Sequence, residues 1–168
     1  MGTRIALMRD GVLQQVDAPE TLYARPANLY VAGFIGSPKM NLVSGRLTSL
    51  DGEVAVEWLG TCMALRGKVA ATVKKHGSEV LIVGLRPEDL RWAPDAPSES
   101  TVRLRGPVEV VEPLGSETLV TVVVDGNHLT TRFPPRSGVQ TGEVVELALD
   151  PTHLHIFDPD SGVSLREQ

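Results

Sequence analysis

The feature that most constrains this fold is a residue pattern that recurs 64 positions later in the same chain. The identities at this offset include Leu50, Glu53, Glu79, Val80, Leu85, Pro87 and Leu90, with partners at 114, 117, 143, 144, 149, 151 and 154. One offset that serves two separated stretches indicates an internal duplication. Each copy is expected to form the same β unit and to end in an apolar strand, a proline and a short helical turn.

Beyond about residue 41 the chain consists of short apolar and alternating runs, which is typical of strands joined by turns. The runs are VSGRLTSL, EVAVEWL, EVLIVGL, PVEVV, TLVTVVV, HLTTRF, EVVELAL and LHIF, with turn signals at Asp51-Gly52, Gly77-Ser78, Gly115-Ser116, Asp125-Gly126 and Pro134-Pro135. This pattern predicts a mainly β fold, an OB-like barrel or a sandwich built from the duplicated unit. Residues 93–100, APDAPSES, are predicted to link the two copies.

The first 40 residues follow a different pattern. Asp10-Gly11 between two apolar segments predicts a β-hairpin, and Pro19 suits the first turn of a helix with Asp17 or Ala18 as its cap. Residues 27–36 have helical spacing and end at Gly36, after which Ser37-Pro38 prevents continuation. We therefore predict two units: a hairpin, two helices and a linker at 1–40, and the β domain at 41–168.

Composition excludes several classes of function. The net charge is −5 and only 4% of residues are aromatic, so the chain lacks the basic, aromatic-rich surface that binds nucleic acid. The single cysteine, Cys62, allows no internal disulfide, and no apolar run approaches the roughly 18 residues of a membrane span. Trp58 and Trp92 are expected in the core or at its rim. These observations favour a cytoplasmic protein.

The segment GLRPEDL, residues 84–90, raises the question of a catalytic cluster. The matching segment of the second copy ends in DPTHL, which keeps the leucines and the proline but neither the arginine nor the paired acids. Pro87 presets a turn, Glu88 and Asp89 suit its positive start, and Leu90 packs back. We interpret Arg86 mainly as a strand terminator, with a second reading in which it anchors an acidic group across a domain contact.

No other motif predicts catalysis, a cofactor or a metal. The nearest approach to a phosphate-binding loop, GTCMALRGKV from Gly60, has six residues between its glycines and Val69 in place of the magnesium-binding hydroxyl. We therefore read Gly67-Lys68 as a turn. His153 and His155 would share one face of a strand, but a zinc site needs further ligands, so surface histidines are favoured.

The stretch RIALMRDGVLQQVDAPETLYARPANLYVAGFIGSPKMNLVSGRL resembles the ATPase subunits of bacterial carbohydrate importers of the ATP-binding cassette family. GLRPEDL and VVEPLGSETLV resemble signatures of their regulatory domain, the TOBE region with an OB-like fold. The resemblance implies that residues 1–36 are the end of a nucleotide-binding domain whose P-loop, signature sequence and switch histidine precede this chain. Apolar side chains of that segment would then lack partners, and we expect it to be mobile, refolded against the barrel or paired between chains.

The resemblance also implies function. The chain would be a non-catalytic regulatory and dimerisation domain, a homodimer without cofactor of its own, although the full-length family uses ATP and magnesium. Partners would be nucleotide-binding and membrane subunits at the inner face of the membrane and, in some bacteria, a regulatory protein. The candidate interaction loops comprise Ser37, Pro38, Lys39, Met40, Asn41, Arg86, Pro87, Glu88, Asp89, Gly115, Ser116 and Glu117.

A rival hypothesis is a small-ligand sensor. Barrel domains of molybdate-type importers bind oxyanions between subunits, and Ser116 and Thr118 are candidate hydroxyl donors here.

Overall fold

The computed structural model describes residues 3–93 and 102–165, so most of the predicted linker at 93–100 lies outside the described residues. The elements before the β domain are strands β1 (Ile5–Arg9) and β2 (Val12–Asp17) and helices α1 (Pro19–Ala24) and α2 (Leu29–Phe34). Ala18 is the N-cap of α1, and the Asn28 side chain caps α2 by accepting from Val31 N–H at 3.0 Å. Helix α1 begins at Pro19, as predicted, and α2 ends at Phe34 with Ile35 as its C-cap, directly before the predicted stop at Gly36.

Two five-stranded antiparallel sheets make up the rest, as the mainly β prediction requires. The first copy contains β3 (Asn41–Leu50), β4 (Glu53–Trp58), β5 (Thr61–Ala64), α3 (Gly67–His76), β6 (Val80–Leu85) and β7 (Arg91–Trp92). The second contains β8 (Val102–Pro113), β9 (Thr118–Val124), β10 (Asn127–Phe133), β11 (Val144–Leu149), a 3-10 turn (Pro151–His153) and β12 (His155–Phe157).

The two sheets repeat one topology but exchange their last strands. The first sheet has the order β12-β6-β3-β4-β5 and the second, read from the matching edge, β7-β11-β8-β9-β10. The short strand β7 of the first copy therefore pairs with the second copy, and β12 does the reverse. The register shows the equivalence: His155 pairs with Gly84, and the positions 64 residues away, Arg91 and Ala148, pair in the same way. The duplication is thus confirmed, with an exchange of strands between its halves.

One core lies between the sheets and is shared by both copies. Alternation in β9 (buried at every second residue) and in β8 directs one face of each strand inward. Trp58 is buried in this core, and Trp92 is half-buried and stacks on Phe133 with ring centroids 5.1 Å apart, so both tryptophans are in core or rim positions. Because strands of both copies fill the same core, neither half has an apolar centre of its own.

Two elements depart from the sequence predictions. Gly67-Lys68 is the start of helix α3 and not a turn, because Val69 and Val73, four residues apart, pack one face of the helix on the core. The second copy has no helix at the matching positions, where β10 ends and turns follow.

The apolar side chains of the N-terminal segment are only partly without partners. Leu7 and Leu22 are buried in a small cluster with Val31, so the expectation that they lack partners is wrong for these two. Ile5, Val12 and Phe34 are exposed. Ala32 of α2 packs with Met40 and Phe157, which joins the segment to the first sheet.

Candidate interaction site

The three loops predicted from sequence meet around one side chain, Arg132 of β10. Its Nη1 donates to both carboxylate oxygens of Glu117, at 2.8 and 2.7 Å, and its Nη2 donates to the Ser37 carbonyl at 2.7 Å. Its Nε lies 3.9 Å from Glu88 Oε2, an ion pair too long for a hydrogen bond. Arg132 was not among the predicted residues, because on an alternating strand it looks like any solvent-facing cation.

Beneath this cluster, Arg86 is buried between the β domain and both N-terminal helices. It directly follows β6 and is 2% exposed. Nη1 donates to the carbonyls of Ile35 (2.5 Å) and Ala32 (3.4 Å), and Nη2 donates to the carbonyl of Tyr23 (2.7 Å). The guanidinium also lies over the Tyr23 ring, 3.9 Å from its centroid. It therefore occupies the C-terminal ends of α1 and α2, where the helix dipole favours a positive charge.

This geometry corrects the interpretation of Arg86 as mainly a strand terminator. The arginine does end β6, but its side chain forms the contact between the two units. Its partners are backbone carbonyls and not the acidic group considered from sequence. Gly36 makes the close approach possible: its φ is +120°, and a Cβ there would lie 3.0 Å from Arg86 Nη1. Burial lowers the pKa of Arg86 to about 10, which the charge of Asp89 partly opposes, so the group stays charged at neutral pH.

The two Leu-x-Pro turns contact each other across the duplication. Asp89 N–H donates to the Arg86 carbonyl, and His153 N–H donates to the Asp150 carbonyl in the same way. The side chains of the equivalent positions Asp89 and His153 then meet, with Nδ1 and Oδ1 3.0 Å apart. Pro87 and Leu90 are buried, as the structural interpretation of RPEDL predicts.

Glu88 ties this turn to α1. Its Oε1 accepts a hydrogen bond from the Tyr23 hydroxyl, while its Oε2 faces Arg132. The Nε of Arg86, the Nε of Arg132 and Oε2 of Glu88 are buried and form no hydrogen bond with any described residue. A cavity of about 430 Å³ adjoins Arg86 and Glu88; its lining residues are Tyr23, Ala24, Arg25, Arg86, Glu88, Asp89, His153 and His155.

Some of the remaining predicted residues are buried in contacts between elements, and others are exposed in loops. Asn41 bridges the sheets: its Nδ2 donates to the carbonyls of Leu85 and Thr130, and its Oδ1 accepts from Thr130 N–H at 2.8 Å. Met40 is buried and Pro38 half-buried, whereas Lys39 is exposed. Gly115 and Ser116 are exposed at the tip of the β8–β9 hairpin, where Gly115 has a φ of +88°.

Chemically, this arrangement holds elements together. The charged groups pair with one another or with backbone carbonyls. No group of three His, Cys, Asp or Glu side chains with metal-binding geometry is found in the part of the chain that the structure describes. His153 is exposed and His155 is buried, so the expectation of surface histidines is wrong for His155. Among the described residues no helix has the length and apolar content to cross a bilayer.

Comparison with known proteins assigns both parts of the β domain. Residues 36–90 match the MalK OB fold domain, and residues 83–157 match the TOBE domain. The turn 84–90 lies where the two matches overlap, so the site just described is at the junction of both domains.

Three relatives match almost the whole chain. The trehalose/maltose import ATP-binding protein MalK of Thermococcus litoralis is 41% identical over 98% of this chain and 45% of its own length. The ABC transporter ATP-binding protein YcjV of Escherichia coli O157:H7 is 35% identical, over 99% and 44%. The trehalose import ATP-binding protein SugC of Mycobacterium tuberculosis is 34% identical, over 98% and 48%. The chain thus spans a little less than half the length of these relatives.

Among solved structures, the cytoplasmic molybdate-binding protein ModG has the same fold, with a TM-score of 0.55 and 13% identity over 71% of this chain and 96% of that protein. The chain therefore contains a MalK-type OB-fold domain and a TOBE domain, and the three relatives that match almost its whole length are ATP-binding proteins of ABC importers or transporters.

Proposed function

We propose that this chain is the regulatory and dimerisation part of a sugar-importer ATPase subunit, non-catalytic by itself, which acts through contacts with a second subunit and with partner proteins. The observation that carries this proposal is the buried Arg86. Because its guanidinium binds carbonyls at the ends of both N-terminal helices, we expect the β domain and the segment before it to move as one body.

The mechanism follows from that rigidity. A partner that holds two β domains in one arrangement also fixes the two N-terminal segments relative to each other. It then shifts the equilibrium between open and closed subunits by its differential affinity for the two states. ATP and magnesium would be bound by parts of the full-length protein that resemble the family's nucleotide-binding domain, at the inner face of the membrane beside the membrane subunits. Nucleic acid is not among the proposed partners.

Sedimentation equilibrium and an ATP hydrolysis assay on the same sample test this proposal. We expect reversible self-association in the micromolar range, which corresponds to about −8 kcal/mol, and no ATP turnover. Turnover by this chain, or a monomer at every concentration, would contradict it. A P-loop encoded in the reading frame upstream of Met1 would support the proposed parentage.

The fold shared with a molybdate-binding protein favours one second candidate, the sensing of a small ligand such as an oxyanion or a sugar. Of the two hydroxyls considered from sequence, Ser116 is exposed at a hairpin tip whereas Thr118 is buried in β9. Calorimetry with molybdate, sulfate, maltose and trehalose separates the candidates. Micromolar binding of one of them by the wild-type chain would favour the sensor, and no heat of binding would favour the regulatory domain.

A further inference from the structure

Charge is segregated along this chain in a way that the proposed regulatory function does not explain. Between Glu57 and Glu79 there is no acidic residue, and the four cations are Arg66, Lys68, Lys74 and Lys75. Between Arg105 and Arg132 there is no lysine or arginine, and the four acids are Glu109, Glu112, Glu117 and Asp125. A chain with a net charge of −5 therefore carries one purely basic and one purely acidic block.

The basic block forms the surface around α3, the element that the second copy lacks. Arg66, Lys74 and Lys75 are exposed, and none of the three forms an ion pair with another described residue. Arg66 lies at the start of the helix and the two lysines in its last turn, about 12–14 Å away at 1.5 Å per residue. These cations are consequently free to attract an acidic surface.

Beside Arg66 a cavity of about 520 Å³ opens between β5, the start of α3 and the Pro151 turn. Its walls are mostly apolar, with Met63, Leu65, Val69, Leu154 and Ile156 among the lining residues. Asp150 also lines it, but its Oδ1 accepts hydrogen bonds from the Thr152 N–H (2.9 Å) and hydroxyl (2.8 Å), which lower the pKa of that carboxyl. The cavity thus combines an apolar floor with one unpaired cation, Arg66, and one carboxylate, Asp150, which is already hydrogen-bonded to Thr152.

The acidic block presents the complementary chemistry on the β8–β9 hairpin. Val110, Glu112 and Leu114 alternate along β8 and the start of its turn, and all three are exposed, Leu114 by 57%. Glu112 forms no ion pair with any described residue. An exposed leucine two residues from a free carboxylate fits an apolar cavity with a free arginine at its edge.

We propose that the β8–β9 hairpin of one copy of this chain docks on the α3 surface of a second copy, so that Leu114 enters the cavity and Glu112 pairs with Arg66. A second copy is the occupant because the same molecule carries both blocks, and a twofold axis lets each copy give one hairpin and receive one. This inference rests on the proposed dimerisation function and specifies the surfaces that perform it.

A charge-swap experiment tests the docking. Arg66→Glu and Glu112→Lys are expected each to raise the dimer Kd about tenfold or more, since either places like charges in contact. An equimolar mixture of the two variants restores opposite charges at both contacts. We expect it to form a heterodimer with a Kd within about threefold of wild type, measured by sedimentation equilibrium in about 0.05 M salt.

Leu114→Ser supplies the apolar half of the test, and its matched control is Leu50→Ser. Leu50 occupies the equivalent position of the first copy and is exposed too, at 38%, but lies outside the acidic block. We expect the Leu114 variant to raise the Kd about tenfold and the Leu50 variant to leave it unchanged. Circular dichroism confirms that each variant is folded.

The outcomes separate this inference from the proposed function. A wild-type dimer that survives Arg66→Glu, Glu112→Lys and Leu114→Ser unchanged overturns the docking mode and leaves dimerisation standing. Assemblies larger than a dimer also overturn it, because the twofold arrangement is closed. A wild-type chain that stays monomeric overturns both the docking and the dimerisation function.

Discussion

At the scale of single residues, Arg86 decides how the two units are joined. Without it, three backbone carbonyls at the ends of α1 and α2 would lose their donors inside the protein. The arginine itself would be costly to bury without those acceptors. The arginine and its three carbonyl acceptors therefore depend on each other, and this contact joins the β domain to the N-terminal segment.

We predict that Arg86→Met lowers the free energy of unfolding by about 3 kcal/mol or more, since each buried acceptor left unpaired costs about 1–3 kcal/mol. Urea denaturation measures the change, and limited proteolysis should show faster cleavage in residues 3–36. Arg91→Met is the control, because Arg91 is exposed on β7, and we expect a change within about 0.5 kcal/mol. Equal losses of stability in the two variants would show that Arg86 does not join the two units.

The contacts that Arg86 and Arg132 form in the site could not be predicted from the sequence. RPEDL reads as a turn because the leucines and the proline recur in the second copy, and the structure confirms that turn. Arg86 and Arg132 act through backbone carbonyls and through residues 15 to 95 positions away. A carbonyl is present at every position and leaves no pattern, so sequence spacing cannot show where an arginine finds one.

At the scale of elements, strand β8 can lie this close to its antiparallel neighbour β9 only because Gly106 has no side chain. A Cβ at Gly106 would lie 1.9 Å from the Val123 carbonyl oxygen, a backbone atom that cannot move aside alone. The eight predicted strand runs all occur as strands. The short strands β5 and β7 and helix α3 were missed, because two to four residues carry no measurable period and only Val69 and Val73 mark the helix face.

Gly106→Ala should therefore lower the free energy of unfolding by about 2 kcal/mol or more, through the shift of β8 from β9. Its control is Gly33→Ala in α2, where an added Cβ meets nothing within 4 Å and alanine favours the helix by up to about 1 kcal/mol. Chemical denaturation of both variants measures the difference. A Gly106→Ala protein as stable as the Gly33→Ala protein would be inconsistent with this close approach of β8 to β9.

Asp158 fastens the end of α3 to the chain after β12. Its Oδ1 accepts from the backbone N–H of Ser161 (2.5 Å) and from its hydroxyl (2.7 Å), and its Oδ2 contacts His76. The bonds from Ser161, followed by that from His76, lower the pKa of Asp158 to about 2 from 3.8. The folded-state pKa is the lower one, so this stabilisation is present above about pH 4 and is lost as the pH falls towards 2.

Thermal unfolding between pH 6 and pH 2 tests this contribution. The wild-type midpoint should fall more steeply below about pH 4 than that of Asp158→Asn, which has no charge to lose. Asp51→Asn, in the exposed β3–β4 turn, is the control and should parallel the wild type. Identical pH profiles for wild type and Asp158→Asn would exclude the effect.

At the scale of the whole molecule, the duplicated halves are joined by exchanged strands and a shared core, so we expect them to unfold together. Each half contributes the edge strand of the other's sheet, and both fill one core. The sequence predicts the duplication but not the exchange, because β7 and β12 fit either sheet equally well by pattern. Only the register, which repeats with the same shift of 64, shows which pairing occurs.

Calorimetry on a matched pair of variants can test whether the two halves unfold in a single transition. Leu85 and Leu149 are equivalent positions in the two copies, and each is 1% exposed. We predict that Leu85→Ala and Leu149→Ala each cost about 2–5 kcal/mol and shift a single transition whose calorimetric and van't Hoff enthalpies agree. Two resolved peaks in either variant would show that the halves unfold separately.

The strand exchange also bears on what a cut polypeptide would do. A protease that cut the backbone between residues 94 and 101 would leave two pieces, and each piece would still supply the edge strand of the other's sheet. We expect such a nicked molecule to keep its fold without a covalent link, and the two pieces, made as separate polypeptides, to associate with each other.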